Sequence, residues 1–195
     1  MKKVILTVVI VLMIEVVVCV AFLYSGAYNI STANHDKGLI NRALDAGTTR
    51  SIVRHAKGIQ APPLTDPGMV QEGFRHYREM CISCHGAPGV PPGEIGKGLW
   101  PDAPDLGMAA SDWTPAQLFW IAKNGIKFTA MPGWGPTHSD QKIWAMVAFL
   151  EKLPHLTPAD YHELERKFTD GGDEMGPPAK PQSAEASRQG NSTAR

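Results

Sequence analysis

The sequence is short of cysteine, of excess charge and of alternating apolar patterns, and each shortage excludes a class of protein. Its 195 residues include three cysteines, too few for a framework of several disulfides. Nineteen basic and nineteen acidic side chains give a formal net charge of zero, so charge provides no basis for binding nucleic acid. No segment alternates apolar and polar residues as a half-buried strand does, and we therefore predict an all-α fold.

Long apolar runs are also scarce, except for one at the N-terminus. The segment from Val4 to Tyr24 would form a helix of roughly 31 Å, which matches the roughly 30 Å apolar core of a bilayer. A cleaved secretory signal usually has a shorter apolar run of about 7–15 residues, so we expect a retained anchor. Two alternatives stay open: cleavage near the small residues 25–27, and a lipoprotein signal ending at Cys19, which the bulky Val18 disfavours.

Charge at the N-terminus predicts the topology. Lys2 and Lys3 favour a cytoplasmic N-terminus, so everything after the apolar run lies outside. We therefore predict a single-pass protein of a bacterial inner membrane with its folded domain in the periplasm. The predicted segments are a transmembrane signal-anchor at 1–25, an extracytoplasmic juxtamembrane segment at 26–65, a folded domain at 66–169 and a disordered tail at 170–195.

Helix start signals divide the folded domain. Asp66 and Thr114 are N-cap candidates, and each precedes a proline suited to the first helical turn. The stretch from residue 85 to 112 is dense in glycine and proline and is predicted to be a loop. The predicted helices are Pro67–Met80, Pro115–Asn124, Ser139–Leu153 and Pro158–Phe168.

Two residues of the first predicted helix carry further expectations. Gly73 lies inside it, where glycine is unfavourable, and this indicates close approach of another backbone. His76 falls on its polar side and is expected to be exposed. Upstream, residues 29–64 have the pattern of two short helices or extended pieces.

The strongest chemical signal is the run Cys81-Ile82-Ser83-Cys84-His85. Two thiols at this spacing can each form a thioether with a haem vinyl group, and the adjacent imidazole can reach the iron, so the run predicts c-type haem attachment. A zinc half-site would need a second pair of ligands, and the chain has no second cysteine pair. A thioredoxin-like dithiol would need a surrounding βαβ pattern, which is also lacking.

With these residues the segment from Pro67 to Leu153 resembles a class I cytochrome c. Gly73 and Tyr77 stand one turn apart and lead into the cysteine motif, and Met131-Pro132 stands in a loop before the last predicted helix. The resemblance implies three to four helices around one covalent haem c, attached through Cys81 and Cys84, whose iron has His85 and Met131 as axial ligands.

The resemblance also implies two packing features. Aromatic residues of the C-terminal helix should cross the N-terminal helix, and Trp144 and Phe149 are the candidates. A proline carbonyl should accept the N–H of the proximal histidine, and spacing alone does not choose among Pro88, Pro91, Pro101 and Pro104.

The sixth iron ligand has alternatives. Met131 is preferred because it lies in a loop between two helices, whereas Met146 is expected in the core and Met175 lies in the tail. Met108 lies in a loop soon after the attachment motif and is geometrically allowed. His138 is the rival ligand, and it would give a bis-histidine iron of lower potential.

The predicted function is electron transfer at the periplasmic face of the membrane, without enzymatic activity. An iron with histidine and methionine ligands has no free position for substrate, so electrons would pass through an exposed haem edge to redox partner proteins. One alternative is a haem subunit of a larger membrane oxidoreductase complex, with residues 29–64 as a docking segment. The other is a haem-based enzyme or sensor with a displaceable sixth ligand.

Overall fold

The computed structural model describes residues 1–33 and 38–170, and the regular backbone of these ranges is helical. An isolated bridge between Ala87 and Val90 is the one strand-like pairing found there. The all-α prediction is therefore confirmed. The predicted disordered tail lies, from residue 171 onward, outside the described residues. The helices are α1 Lys2–Tyr24, α2 Leu39–His55, α3 Pro67–His76, α4 Ile82–His85, α5 Glu94–Lys97, α6 Leu106–Ala109, α7 Pro115–Asn124, α8 Asp140–Leu150 and α9 Pro158–Asp170.

Helix α1 is the apolar N-terminal run. It has 23 residues, none of them buried against other parts of the protein, and it is long and apolar enough to cross a membrane. An apolar helix that packs against no other described part of the chain fits a membrane anchor.

Residues 39–55 form one helix, α2, where the sequence pattern suggested two short pieces. Gly47 lies inside α2, and a Cβ on it would meet no atom within 4 Å. Glycine therefore destabilises the helix here only through its lower helix propensity, by about 1 kcal/mol relative to alanine. The C-terminal end of α2 packs inward. Ile52 and Ala56 are buried, and the His55 ring stacks on Trp120 of α7 with 5.6 Å between ring centroids.

Helix α3 begins where the sequence predicted. The Asp66 carboxylate accepts a hydrogen bond of 2.8 Å from the Met69 N–H, and Pro67 takes the first helical position. The helix was predicted to continue regularly to Met80. Instead, Tyr77–Cys81 is a π-helical turn, and α4 follows it directly. A π-turn inserts an extra residue into the helix, a feature that often occurs at functional sites.

The segment from residue 85 to 112 is less irregular than predicted. It contains the single-turn helices α5 and α6 and a 3₁₀ turn at Ala110–Asp112. Helix α7 has the predicted bounds, with a capping box between Thr114 and Gln117. Helix α8 is shorter than predicted, because it ends at Leu150 and is followed by the separate 3₁₀ turn Leu153–His155.

The core is built where α3 crosses α8. Phe74 of α3 meets Phe149 of α8 edge-on at 5.3 Å between ring centroids, and Tyr77 lies 5.2 Å from the same ring. Phe149 is therefore one of the aromatics that cross α3. Trp144, the other candidate, stacks instead on Phe119 of α7 at 4.1 Å, since it points to the opposite side of α8.

The described end of the chain, from His162, belongs to a second unit. Its helical residues carry two surface ion pairs. His162 lies 3.3 Å from Glu165, and Lys167 lies 2.9 Å from Glu163.

Candidate functional site

The cysteine motif lies at the end of α3, on the π-turn and α4. The side chains of Cys81 and Cys84 are half-buried free thiols. Desolvation by the surrounding protein, with a smaller effect of the neighbouring Cys84, raises the pKa of Cys81 to about 12. The raised pKa of Cys81 disfavours a low-pKa redox dithiol at this position.

A buried hydrogen bond fixes the turn that follows the motif. The Tyr77 hydroxyl donates to the Gly86 carbonyl oxygen at 2.6 Å. Gly86 has φ 65°, and a Cβ there would lie 2.6 Å from the Val90 carbonyl oxygen, so only glycine allows the chain to turn here. Tyr77 thus connects the core between α3 and α8 to the backbone immediately after His85.

His85 has one ring nitrogen engaged. Its Nδ1 lies 2.8 Å from the Pro104 carbonyl oxygen. Because a carbonyl can only accept, Nδ1 carries the proton and the lone pair of Nε2 is available for a metal. Burial lowers the pKa of His85, although the Pro104 bond and the nearby Asp105 raise it, and the neutral form is the one that binds iron. Among the four candidate prolines, Pro104 is the one whose carbonyl lies beside His85.

His85 also borders an open cleft of about 310 Å³. Met131 is not among the residues that line it. The cleft is lined by His85, Ala87, Gly89, Val90, Pro91, Pro92, Ala103 and Asp105.

Several hydrogen bonds hold the loop that contains Met131 in place. The Ile126 N–H donates to the Met131 carbonyl oxygen at 3.2 Å, and the Met131 N–H donates to Thr129 Oγ1 at 3.1 Å. Further on, the Trp134 N–H donates to the Ala122 carbonyl of α7 at 2.9 Å. A Cβ on Gly125 would lie 2.7 Å from the Met131 carbonyl oxygen, so the loop returns directly onto the end of α7. The Met131 side chain is half-buried in this fixed loop.

The other candidates for the sixth ligand lie in different surroundings. Met108 is 71% exposed, and Met146 is buried in α8 as expected for a core residue. Met175 lies outside the described residues. The His138 ring packs between Trp134 and His76, with centroids 5.5 and 5.4 Å away, and its Nδ1 lies 2.9 Å from Thr137 Oγ1.

His76 was expected to be exposed, and this expectation is wrong. The residue is only 4% exposed, because His138 and its loop cover that side of α3. The sequence pattern of a helix distinguishes its polar side from its apolar side. It cannot show that two histidines from distant parts of the chain pack together. Within 1–33 and 38–170, no group of three or more His, Cys, Asp or Glu side chains is placed so that it could hold a metal ion.

The attachment residues fit a covalently bound haem. Two free thiols, those of Cys81 and Cys84, precede a histidine whose Nδ1 is engaged and whose Nε2 is free to bind iron. Residues 68–150 match the family model described as cytochrome C oxidase, cbb3-type, subunit III. The matched segment starts in α3 and ends with α8, and it contains the cysteine motif and Met131. No curated protein matches the chain.

Proposed function

We propose that residues 68–150, which match a cytochrome family model, carry covalent haem c, and that the protein transfers single electrons at the outer face of a bacterial inner membrane. Cys81 and Cys84 hold the haem, and His85 and Met131 are the axial ligands of its iron. The observation that carries the proposal is the 2.8 Å bond from His85 Nδ1 to Pro104, which leaves Nε2 unprotonated.

When bound, the haem supplies an iron that cycles between its ferric and ferrous forms. The residues of the chain supply attachment, orientation and electronic tuning. Pro104 fixes the plane and tautomer of His85 and makes its Nε2 a better donor. Tyr77 holds the backbone after His85, so that the imidazole and the two thiols keep their relative positions.

Two features support Met131 as the sixth ligand. Its loop is held by hydrogen bonds at both ends, which limits the reorganisation energy that a mobile ligand would add. His138, the rival ligand, packs between two other rings and has its Nδ1 beside Thr137. A thioether ligand also gives a higher potential than a second imidazole, which suits a donor to a terminal acceptor.

The test compares Met131→Ala with Met108→Ala in the haem-loaded, oxidised protein. We expect Met131→Ala to lose the near-infrared band that reports sulfur ligation and to lower the reduction potential. The exposed Met108→Ala variant should keep both properties. A retained band in Met131→Ala would refute the ligand assignment, and absence of the band from the oxidised wild-type protein would favour His138 as the ligand instead.

We further propose that the protein works as the haem subunit of a larger membrane oxidoreductase complex. The description of the matched family as an oxidase subunit and the apolar helix α1 favour this role. Deleting residues 29–64 would be a poor test, because it removes the buried Ile52. Substitution of Leu39, which is 82% exposed, by Glu leaves that packing intact. Unchanged co-purification of partner subunits with Leu39→Glu would exclude α2 as the docking element, and purification of the wild-type chain without partners would favour a free carrier.

A further inference from the structure

Two histidines meet between the helix that leads into the cysteine motif and the loop that carries Met131. His76 lies at the end of α3, and His138 lies just before the N-cap of α8. Their rings contact edge to face with 5.4 Å between centroids. His76 Nδ1 is buried and has no hydrogen-bond partner in the part of the chain that the structure describes.

The surroundings of His76 favour the neutral imidazole, because burial and the Arg75 charge outweigh the opposing effect of Glu72. Its Nε2 lies 3.5 Å from the guanidinium of Arg75, which can only donate, so this contact requires an unprotonated Nε2. The other charged groups near it are Glu72, 3.7 Å from Nε2, and Glu79, which is paired with Arg75 at 3.5 Å. A second proton on His76 would remove the Arg75 contact and place a buried cation beside Arg75 and His138.

His138 is connected to the ligand loop through its backbone and its ring. The His138 N–H donates to the Trp134 carbonyl oxygen at 2.9 Å, and the Trp134 N–H donates to Ala122 of α7 at 2.9 Å. The Trp134 and His138 rings are in edge contact at 5.5 Å. The turn from Trp134 to His138 therefore follows closely after Met131-Pro132 in the same loop. Among the ring contacts of the described residues, this turn meets α3 through His76 alone.

We propose that His76 and His138 are positioning residues whose contact holds the Met131 loop against α3 only while the His76 imidazole is neutral. Acid would separate the two rings, loosen the turn from Trp134 to His138 and release Met131 from the iron. This inference rests on the proposed role of Met131 as the sixth ligand. It adds that the ligation of the haem, and with it the potential, responds to protons at a site distinct from the iron ligands.

The expected direction of the pH effect follows from linkage. Burial lowers the pKa of His76 from its usual 6.5, the Arg75 charge lowers it further, Glu72 raises it and His138 lowers it. Because the folded pKa is depressed, the unfolded or released state binds more protons below pH 6.5. The closed state is therefore fully stabilised above that pH and loses stability as the pH falls towards the folded pKa.

The test is an acid titration of the oxidised, haem-loaded full chain, followed by the near-infrared band of sulfur ligation. The variants are His76→Gln and His138→Gln, with His155→Gln, an exposed histidine in the 3₁₀ turn after α8, as the control. We expect the wild type and the control to lose the band at the same midpoint below pH 6.5. His76→Gln should move this midpoint down by about one unit, a tenfold change in proton concentration.

Two outcomes would overturn the inference: a wild-type band that persists through the acid range, or unchanged midpoints in both glutamine variants. If His76→Gln does not fold, His138→Gln alone decides, because its position is only half-buried. The control for the underlying proposal is Met131→Ala at neutral pH. A band that survives in that variant refutes Met131 as ligand, whereas a lost band together with unshifted acid midpoints refutes only the histidine pair.

Discussion

Gly73 of α3 and Ala145 of α8 are in direct backbone contact, so that a Cβ on Gly73 would overlap the Ala145 carbonyl oxygen. The same Cβ would also lie 2.9 Å from the Cβ of Phe149. The Ala145 carbonyl belongs to the backbone of the buried helix α8, so it cannot rotate away from an added side chain. The crossing that positions the cysteine motif therefore depends on the absence of a side chain at this position.

We expect Gly73→Ala to destabilise the protein by about 3 kcal/mol or more, because the two helices must separate and lose packing around Phe149. Gly47→Ala is the matched control. Gly47 lies inside α2, and a Cβ there would meet no atom within 4 Å, so alanine should stabilise by about 0.4–1 kcal/mol. Denaturant unfolding of the haem-loaded proteins measures both changes, and equal effects of the two substitutions would contradict the close contact.

The Tyr77 hydroxyl is a second determinant of the attachment turn. Tyr77→Phe should cost about 1–3 kcal/mol, since it leaves the buried Gly86 carbonyl without its donor while preserving the ring contact with Phe149. Tyr28→Phe, at a half-exposed tyrosine outside the domain, should change stability by less than about 0.5 kcal/mol. Thermal unfolding compares the two variants. A neutral Tyr77→Phe would mean that water or another group satisfies the carbonyl.

The sequence predicted those parts of the fold that depend on local chemistry. Asp66 and Thr114 define helix starts because capping needs only a side chain and the next few residues. Gly73 indicated a crossing because its cost within a helix needs a compensating contact. The capping side chains act on residues next to them in the sequence, and the glycine requires only that some other backbone packs closely against it.

The features that the sequence did not predict depend on particular partners far away in the chain. Pro104 was indistinguishable from three other prolines until the folded chain brought its carbonyl to His85. His76 looked like a surface residue because its partner, His138, comes from the loop before α8. The family resemblance began at Pro67 and gave no information on the packing of α2, so the His55–Trp120 contact came from the structure alone.

Asp105 is expected to tune the haem iron through its charge. Its carboxylate borders the same cleft as His85 and caps α6 by accepting the Gly107 N–H at 2.8 Å. Asp105→Asn retains a capping oxygen but removes the negative charge, so the ferric state should lose stabilisation and the reduction potential should rise. Asp102→Asn, in the same loop but away from the cleft lining, should change the potential less. Potentiometric titration measures both variants, and equal shifts would attribute the effect to net charge alone.

Ile52 tests whether α2 folds together with the domain that contains the cysteine motif. Its side chain is 2% exposed at the end of α2, while its neighbour Val53 is 49% exposed. Ile52→Ala should therefore cost about 2–5 kcal/mol through lost burial and the cavity left behind, whereas Val53→Ala should cost less than about 0.5 kcal/mol. Calorimetry of the haem-loaded chain in detergent should show a lower midpoint for Ile52→Ala in the same single transition that reports the haem domain. If the main transition stayed in place and only a separate minor transition moved, α2 would be an independent segment between α1 and the haem domain.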